Sequence, residues 1–228
     1  YLPEEKAYLF QTDLPSNDVA AITQNVEFKL EENVPLQAAD AIFYFDILPA
    51  SVTGGALRAS VSVVPRAYVE NMISFLRGAG IIPVAFEVAP KSIARSIVLP
   101  KSEETLLVAH AMNHKTGIYI VSGGVVCFSS TITTKGFDLK ILNKEIIRVN
   151  EYWDNRPDTH SSIARVVFVG HCAAKSEKTI ESAFADTKLA VSIADVWSNI
   201  FDVSAHSPPI SKIDSLEYVV AAGLALPI

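Results

Sequence analysis

The sequence predicts a mixed α+β and α/β protein arranged in two consecutive units, and three observations predict it. Strand and helix periodicities alternate over the first hundred residues as strand, helix, strand, strand, helix, strand. Three β-branched runs then follow one another between residues 105 and 136, broken at Asn113-His114-Lys115 and at Gly123-Gly124. Glycine's freedom at positive φ makes the second break a tight hairpin, so this stretch reads as a three-stranded meander. Beyond it the order changes to helix, strand, helix, strand, helix.

Taken in order, the alternating run 6–12 is a strand with Tyr8 and Phe10 on one face, ended by Pro15. Ser16 or Asn17 then caps a helix, Asp18 sits where the macrodipole favours an anion, and Val19, Ile22, Val26 and Leu30 form its buried stripe until Asn33 and Pro35 stop it. Strands follow at 41–48 and 57–64, separated by a loop containing Gly54-Gly55. Pro65 opens a helix with the stripe Tyr68, Met72, Ile73 and Leu76, ended by Gly78 and Gly80, and a strand is expected at 81–88. A short helix runs from Pro90 to Val98 before Pro100, and the polar run 101–104 marks the unit boundary, giving units of 1–100 and 101–228.

In the second unit the meander is followed by a helix over 141–152, with Leu142, Ile146 and Val149 on one face. A strand at 164–169 ends at Gly170, a helix is expected over 176–184, a strand at 189–194, and a small-residue helix at 215–226. The order βββ-α-β-α-β-α suits half of a ribonuclease-H-like or actin-like module better than a doubly wound sheet, in which every strand would be followed by a helix.

Composition narrows the function classes. The 228 residues, 50% of them apolar, suffice for a real core. A net charge of −6 and no adjacent pair of Lys/Arg residues argue against a nucleic-acid surface. No apolar run reaches the roughly 18 to 20 residues of a membrane span, so a soluble, cytoplasmic chain is expected. Cys127 and Cys172 lie far apart in apolar runs and read as reduced core thiols. The abrupt start at Tyr1-Leu2-Pro3-Glu4-Glu5 and the close at Leu226-Pro227-Ile228 read as those of a fragment or trimmed chain.

Five passages resemble the PilM family, the actin-like and FtsA-like cytoplasmic component of type IV pilus assembly. Leu2-Pro3-Glu4-Glu5 with Leu14-Pro15 is similar to the start of the family's inserted 1C subdomain, and the stretch from Leu30 to Leu36 is similar to its first helix end. The stretch from Ala79 to Pro90 resembles its strand and following helix start, residues 116–130 resemble the meander, and residues 216–226 the closing helix. The resemblance implies a 1C-like α+β unit followed by a reduced actin-like lobe, with most of the first lobe absent.

It also implies a nucleotide cleft, and here the sequence departs from the family pattern. The second phosphate loop falls on 109–116, where Ala109 replaces the Mg²⁺-managing Asp and Ala111 its glycine. The adenosine-side glycine pair falls on Gly170-His171, so His171 replaces a glycine. ATP hydrolysis is therefore not expected; what is left for ATP with Mg²⁺ is backbone at Gly117 and Gly170, glycines that turns alone also explain. His110, His114, His171 and Cys172 would share the cleft, but a His-x-x-x-His spacing at a strand end lacks the one-face logic it has on a helix, and no metal site is assigned.

No nucleophile elbow is present. Asp46, Glu87 and Asp138 read as surface or capping groups, and Trp197 as a partly buried core aromatic rather than an interface anchor. The function the resemblance implies is an adaptor at the inner face of the cytoplasmic membrane. It would bind the cytoplasmic tail of a PilN-like inner-membrane protein, alongside other pilus assembly proteins, through a groove involving residues 6–48. The alternative is an actin-like ATP-binding protein or ATPase with altered cleft residues. FtsA-like membrane attachment finds no support, because 215–228 carries no Lys or Arg.

Overall fold

The computed structural model describes residues 1–15, 18–156, 161–185, 187, 189–202, 205–206 and 208–227. The chain builds two sheets. The first is antiparallel, in the order β1-β3-β2, from β1 (Tyr8–Asp13), β2 (Ala41–Ile47) and β3 (Arg58–Pro65). Helix α1 (Val19–Asn33) buries Ile22, Val26 and Leu30 against Val61 and Val63, whereas Val19 is exposed and drops out of the expected stripe. Ser16 and Asn17 lie outside the described residues; Asp18 is the cap, its carboxylate accepting from the Ala21 N–H at 2.9 Å. A single turn, α2 (Ala50–Thr53), joins β2 to β3. Helix α3 (Arg66–Gly78) buries Val69 fully and its expected stripe only in part.

The strand expected at 81–88 does not form. These residues make one parallel bridge, Val88 to Leu2, and Ile82 and Val84 are exposed. The run has strand-like composition but no sheet partner along most of its length, and composition alone does not supply one. It leads into α4 (Ala89–Ile97), whose Ile93 and Ala94 are fully buried in the core of the second sheet.

That sheet has the order β6-β5-β4-β7-β8, built from β4 (Thr105–Ala111), β5 (Lys115–Ser122), β6 (Val125–Thr133), β7 (Arg165–Val169) and β8 (Ala190–Ile193). The meander is antiparallel, while β7 joins β4 and β8 in parallel. Every residue of β4 is buried, so both faces of the sheet are covered there. Helix α5 (Leu139–Asp154) buries Leu142, Ile146, Val149 and Trp153, with Asp138 capping it through the Lys140 and Ile141 N–H groups. Helix α6 (His171–Phe184) starts five residues earlier than expected and kinks at Ser176, so the periodicity over 176–184 belongs to its second piece. The closing segment is α7 (Lys212–Ser215), a 3-10 turn and α8 (Val219–Ala225) rather than one helix.

The sheets meet along β1, β3 and β6. The Gln11 side-chain amide donates to the Cys127 carbonyl at 2.8 Å, and the Ser60 hydroxyl donates to the Val126 carbonyl at 2.6 Å, buried. The result is the expected mixed α/β class, a small antiparallel sheet with its helices joined to a five-stranded mixed sheet.

Candidate functional site

In a sheet of this kind, ligands bind beyond the carboxyl ends of parallel strands, where β4 and β7 finish side by side. Ala109 pairs with Phe168 and His110 with Val169, and on the other side His110 faces Gly117. Ala109 and Ala111 are fully buried and bring no polar side chain. Gly170 follows β7 at φ +93°, and a Cβ there would lie 2.5 Å from the Ala111 carbonyl oxygen. The glycine thus lets the two strand ends close on each other. Gly117 has a different neighbour: a Cβ would lie 2.0 Å from the Tyr119 hydroxyl, so its hydrogen makes room for the phenol.

His110 is buried, and among the described residues its Nδ1 has no hydrogen-bond partner. Burial, and then the charges of Lys115 and His171, lower it to about 4, so it is neutral at pH 7. The Cys172 thiol lies 3.4 Å from His171 Nε2 and 3.4 Å from Asn113 Oδ1, to which it donates. Burial raises that thiol above its ordinary value, the opposite of an activated nucleophile. His114 sits exposed on the β4–β5 turn, away from the buried His110. Among the described residues no three His, Cys, Asp or Glu side chains are arranged to hold a metal ion.

The small sheet holds a second feature that the sequence did not single out. A cleft of about 330 Å³ lies between β2, β3 and α3, walled by Leu2, Ile42, Val64, Val69 and Phe86. At one end Lys91 Nζ stands 3.7 Å above the Tyr44 ring and 2.8 Å from the Asp46 carboxylate. Among the described residues β2 pairs only with β3, leaving its outer edge beside this cleft open.

A scan against protein-family models and a search of curated proteins returned no match. Among solved structures, the chain is similar to a "PilM-PilN type IV pilus biogenesis complex" at a TM-score of 0.72 and 16% identity, over 96% of this chain and 76% of that one. The likeness is one of fold. Looser matches are a Bacteroides thetaiotaomicron protein of actin-like ATPase fold (TM-score 0.47, 9% identity, 84% and 65% of the two chains) and the cytoplasmic domain of EpsL from Vibrio cholerae (0.49, 15%, 100% and 74%).

Of the residues singled out in the sequence, Ala109, His110, Ala111, Gly170, His171 and Cys172 do converge on one spot. Gly117 shares the strand pair but serves Tyr119. Glu87 is neither surface nor cap: it is buried, accepts from the Ser92 hydroxyl at 2.7 Å and pairs with Arg95. Asp46 is half-buried in its pair with Lys91. Trp197 is half-buried, donates from Nε1 to the Ile210 carbonyl at 3.1 Å and meets Phe201 edge-on. A short apolar patch on an edge strand preceding a helix was the one available signal for the cleft, and core packing produces the same signal.

Proposed function

We propose that this chain is a scaffold of type IV pilus assembly that holds the cytoplasmic tail of a PilN-like inner-membrane protein in the Ile42–Val69 cleft, without hydrolysing ATP. The observation that carries the reading is the apolar cleft beside an open strand edge, on a fold similar to that of a PilM-PilN complex. An extended peptide can add backbone hydrogen bonds along such an edge while alternate side chains enter the cleft. The chain would then sit at the inner face of the membrane through its partner. No helix among the described residues is long and apolar enough to cross a membrane, and α8 buries Val219 and Val220. The absence of hydrolysis rests on Ala109 and Ala111, which supply no carboxylate for Mg²⁺.

Titration calorimetry with a synthetic peptide of the partner's N-terminal tail tests this. Saturable binding that disappears in Ile42→Asp is expected. A folded protein that ignores the peptide overturns the reading.

One observation favours the ATP-binding alternative. Gly170, the N-cap of α6, gives its first turn no side-chain hydrogen bond, and a helix N-terminus favours an anion. Calorimetry with ATP and Mg²⁺ separates the two: saturable heat together with phosphate release would establish an ATPase, and heat without release a nucleotide-responsive scaffold.

A further inference from the structure

Leu2 forms part of the cleft wall, and the residues just after it reach the larger sheet. Leu2 is buried in the cleft wall; its N–H donates to the Glu87 carbonyl at 2.7 Å and its carbonyl accepts from the Ala89 N–H at 2.9 Å. Two residues on, the Glu4 side chain is only 2% exposed. Glu4 and Glu5 converge on one ammonium: Lys115 Nζ lies 2.8 Å from both carboxylate oxygens of Glu5 and 3.7 Å from Glu4 Oε1.

Lys115 begins β5, directly after the β4–β5 turn. Its carbonyl accepts from the Met112 N–H at 3.0 Å, and the next residue of that turn, Asn113, accepts from Cys172 at the start of α6. A contiguous path therefore joins the strand ends around Gly170 to the wall of the apolar cleft. Two such features with a charged residue between them need a bistable element before the path means anything. Glu4 supplies it.

We propose that Lys115 is a latch that couples the β4–β5 turn to the apolar cleft. With the ammonium in place, Glu4 stays buried beside the Tyr119 hydroxyl and Leu2 closes the cleft wall. When the turn moves and withdraws Lys115, a buried carboxylate is left without its cation, a state far less tolerable than an unpaired surface charge. Glu4 escapes by swinging toward water and draws Leu2 away from Val88. Burial works against the charge on Lys115, yet the Glu5 hydrogen bonds and the Glu4 charge hold it above the ordinary lysine range. The functional meaning of the latch rests on the cleft being the peptide site; the latch itself does not.

The test is backbone amide exchange on the whole chain, comparing the unaltered protein with Lys115→Gln, Lys115→Arg and, as a control ion pair elsewhere on the same sheet, Arg165→Gln. In Lys115→Gln the Ala89 amide, which donates to Leu2, exchanges about tenfold faster while β4 and β7 amides keep their rates. Lys115→Arg restores protection and Arg165→Gln leaves Ala89 unchanged. Unchanged protection of Ala89 in folded Lys115→Gln overturns the proposal. So does a loss spread evenly over both sheets, which would make Lys115 an ordinary stabilising residue. If Lys115→Gln does not fold, Glu5→Gln decides by the same amide. Exchange is read without peptide, so a tail that fails to bind leaves this result standing.

Discussion

The carbonyl oxygen of Ala111 and the α-carbon of Gly170 approach so closely that a single added methyl group at 170 would lie 2.5 Å from that oxygen. This contact closes the carboxyl ends of β4 and β7. Gly170→Ala meets both the clash and a φ of +93°, and is expected to cost about 3 kcal/mol. A urea titration followed by circular dichroism measures it; an unshifted midpoint would mean the strand ends can part freely.

A second close approach fixes the end of the chain to α4. A Cβ on Gly223 would lie 1.7 Å from the Ser92 carbonyl oxygen, and Arg95 donates to the Gly223 carbonyl at 3.2 Å. Gly223→Ala is therefore expected to unseat α8, lowering stability by about 2 to 4 kcal/mol with the loss confined at first to α8. Exchange of the Val219 and Val220 amides reports it.

Acid should weaken the fold through His110. Its folded-state value of about 4 lies below the ordinary 6.5, so the unfolded chain takes up the proton first. The stabilisation is complete above pH 6.5 and is lost as pH falls from 6.5 toward 4, amounting to about 3 kcal/mol. His110→Leu is expected to flatten the stability profile across that window relative to the unaltered protein. Parallel profiles for the two proteins would refute the assignment.

Burial pushes the Cys127 thiol up to about 12. At pH 8 the thiolate population in the native state is then negligible, and iodoacetamide should label Cys127 only at the rate of unfolding. Mass spectrometry over a urea series checks this; prompt labelling in buffer would show that β6 opens locally.

Much of the fold was legible because its signals are local. Gly123-Gly124 marked the hairpin, and Leu142, Ile146 and Val149 marked the buried face of α5. The segment 81–88 departs from the strand expected there because β-propensity marks a run that can pair and says nothing about whether a neighbour exists. The start of α6 was missed because Gly170 caps it with no side chain. At the candidate site the sequence located the converging residues, but not what each glycine faces. The wall formed by Leu2 with Val64 and Val69 joins residues more than sixty positions apart, a relation no local pattern encodes.

The room that Gly117 leaves for the Tyr119 phenol makes these two positions one steric unit. A Cβ at 117 would meet the phenol oxygen and the ring carbons behind it, so an alanine there is accommodated only if the ring shifts or is shortened. The buried phenol and the missing side chain two residues before it are therefore two halves of one packing solution within β5.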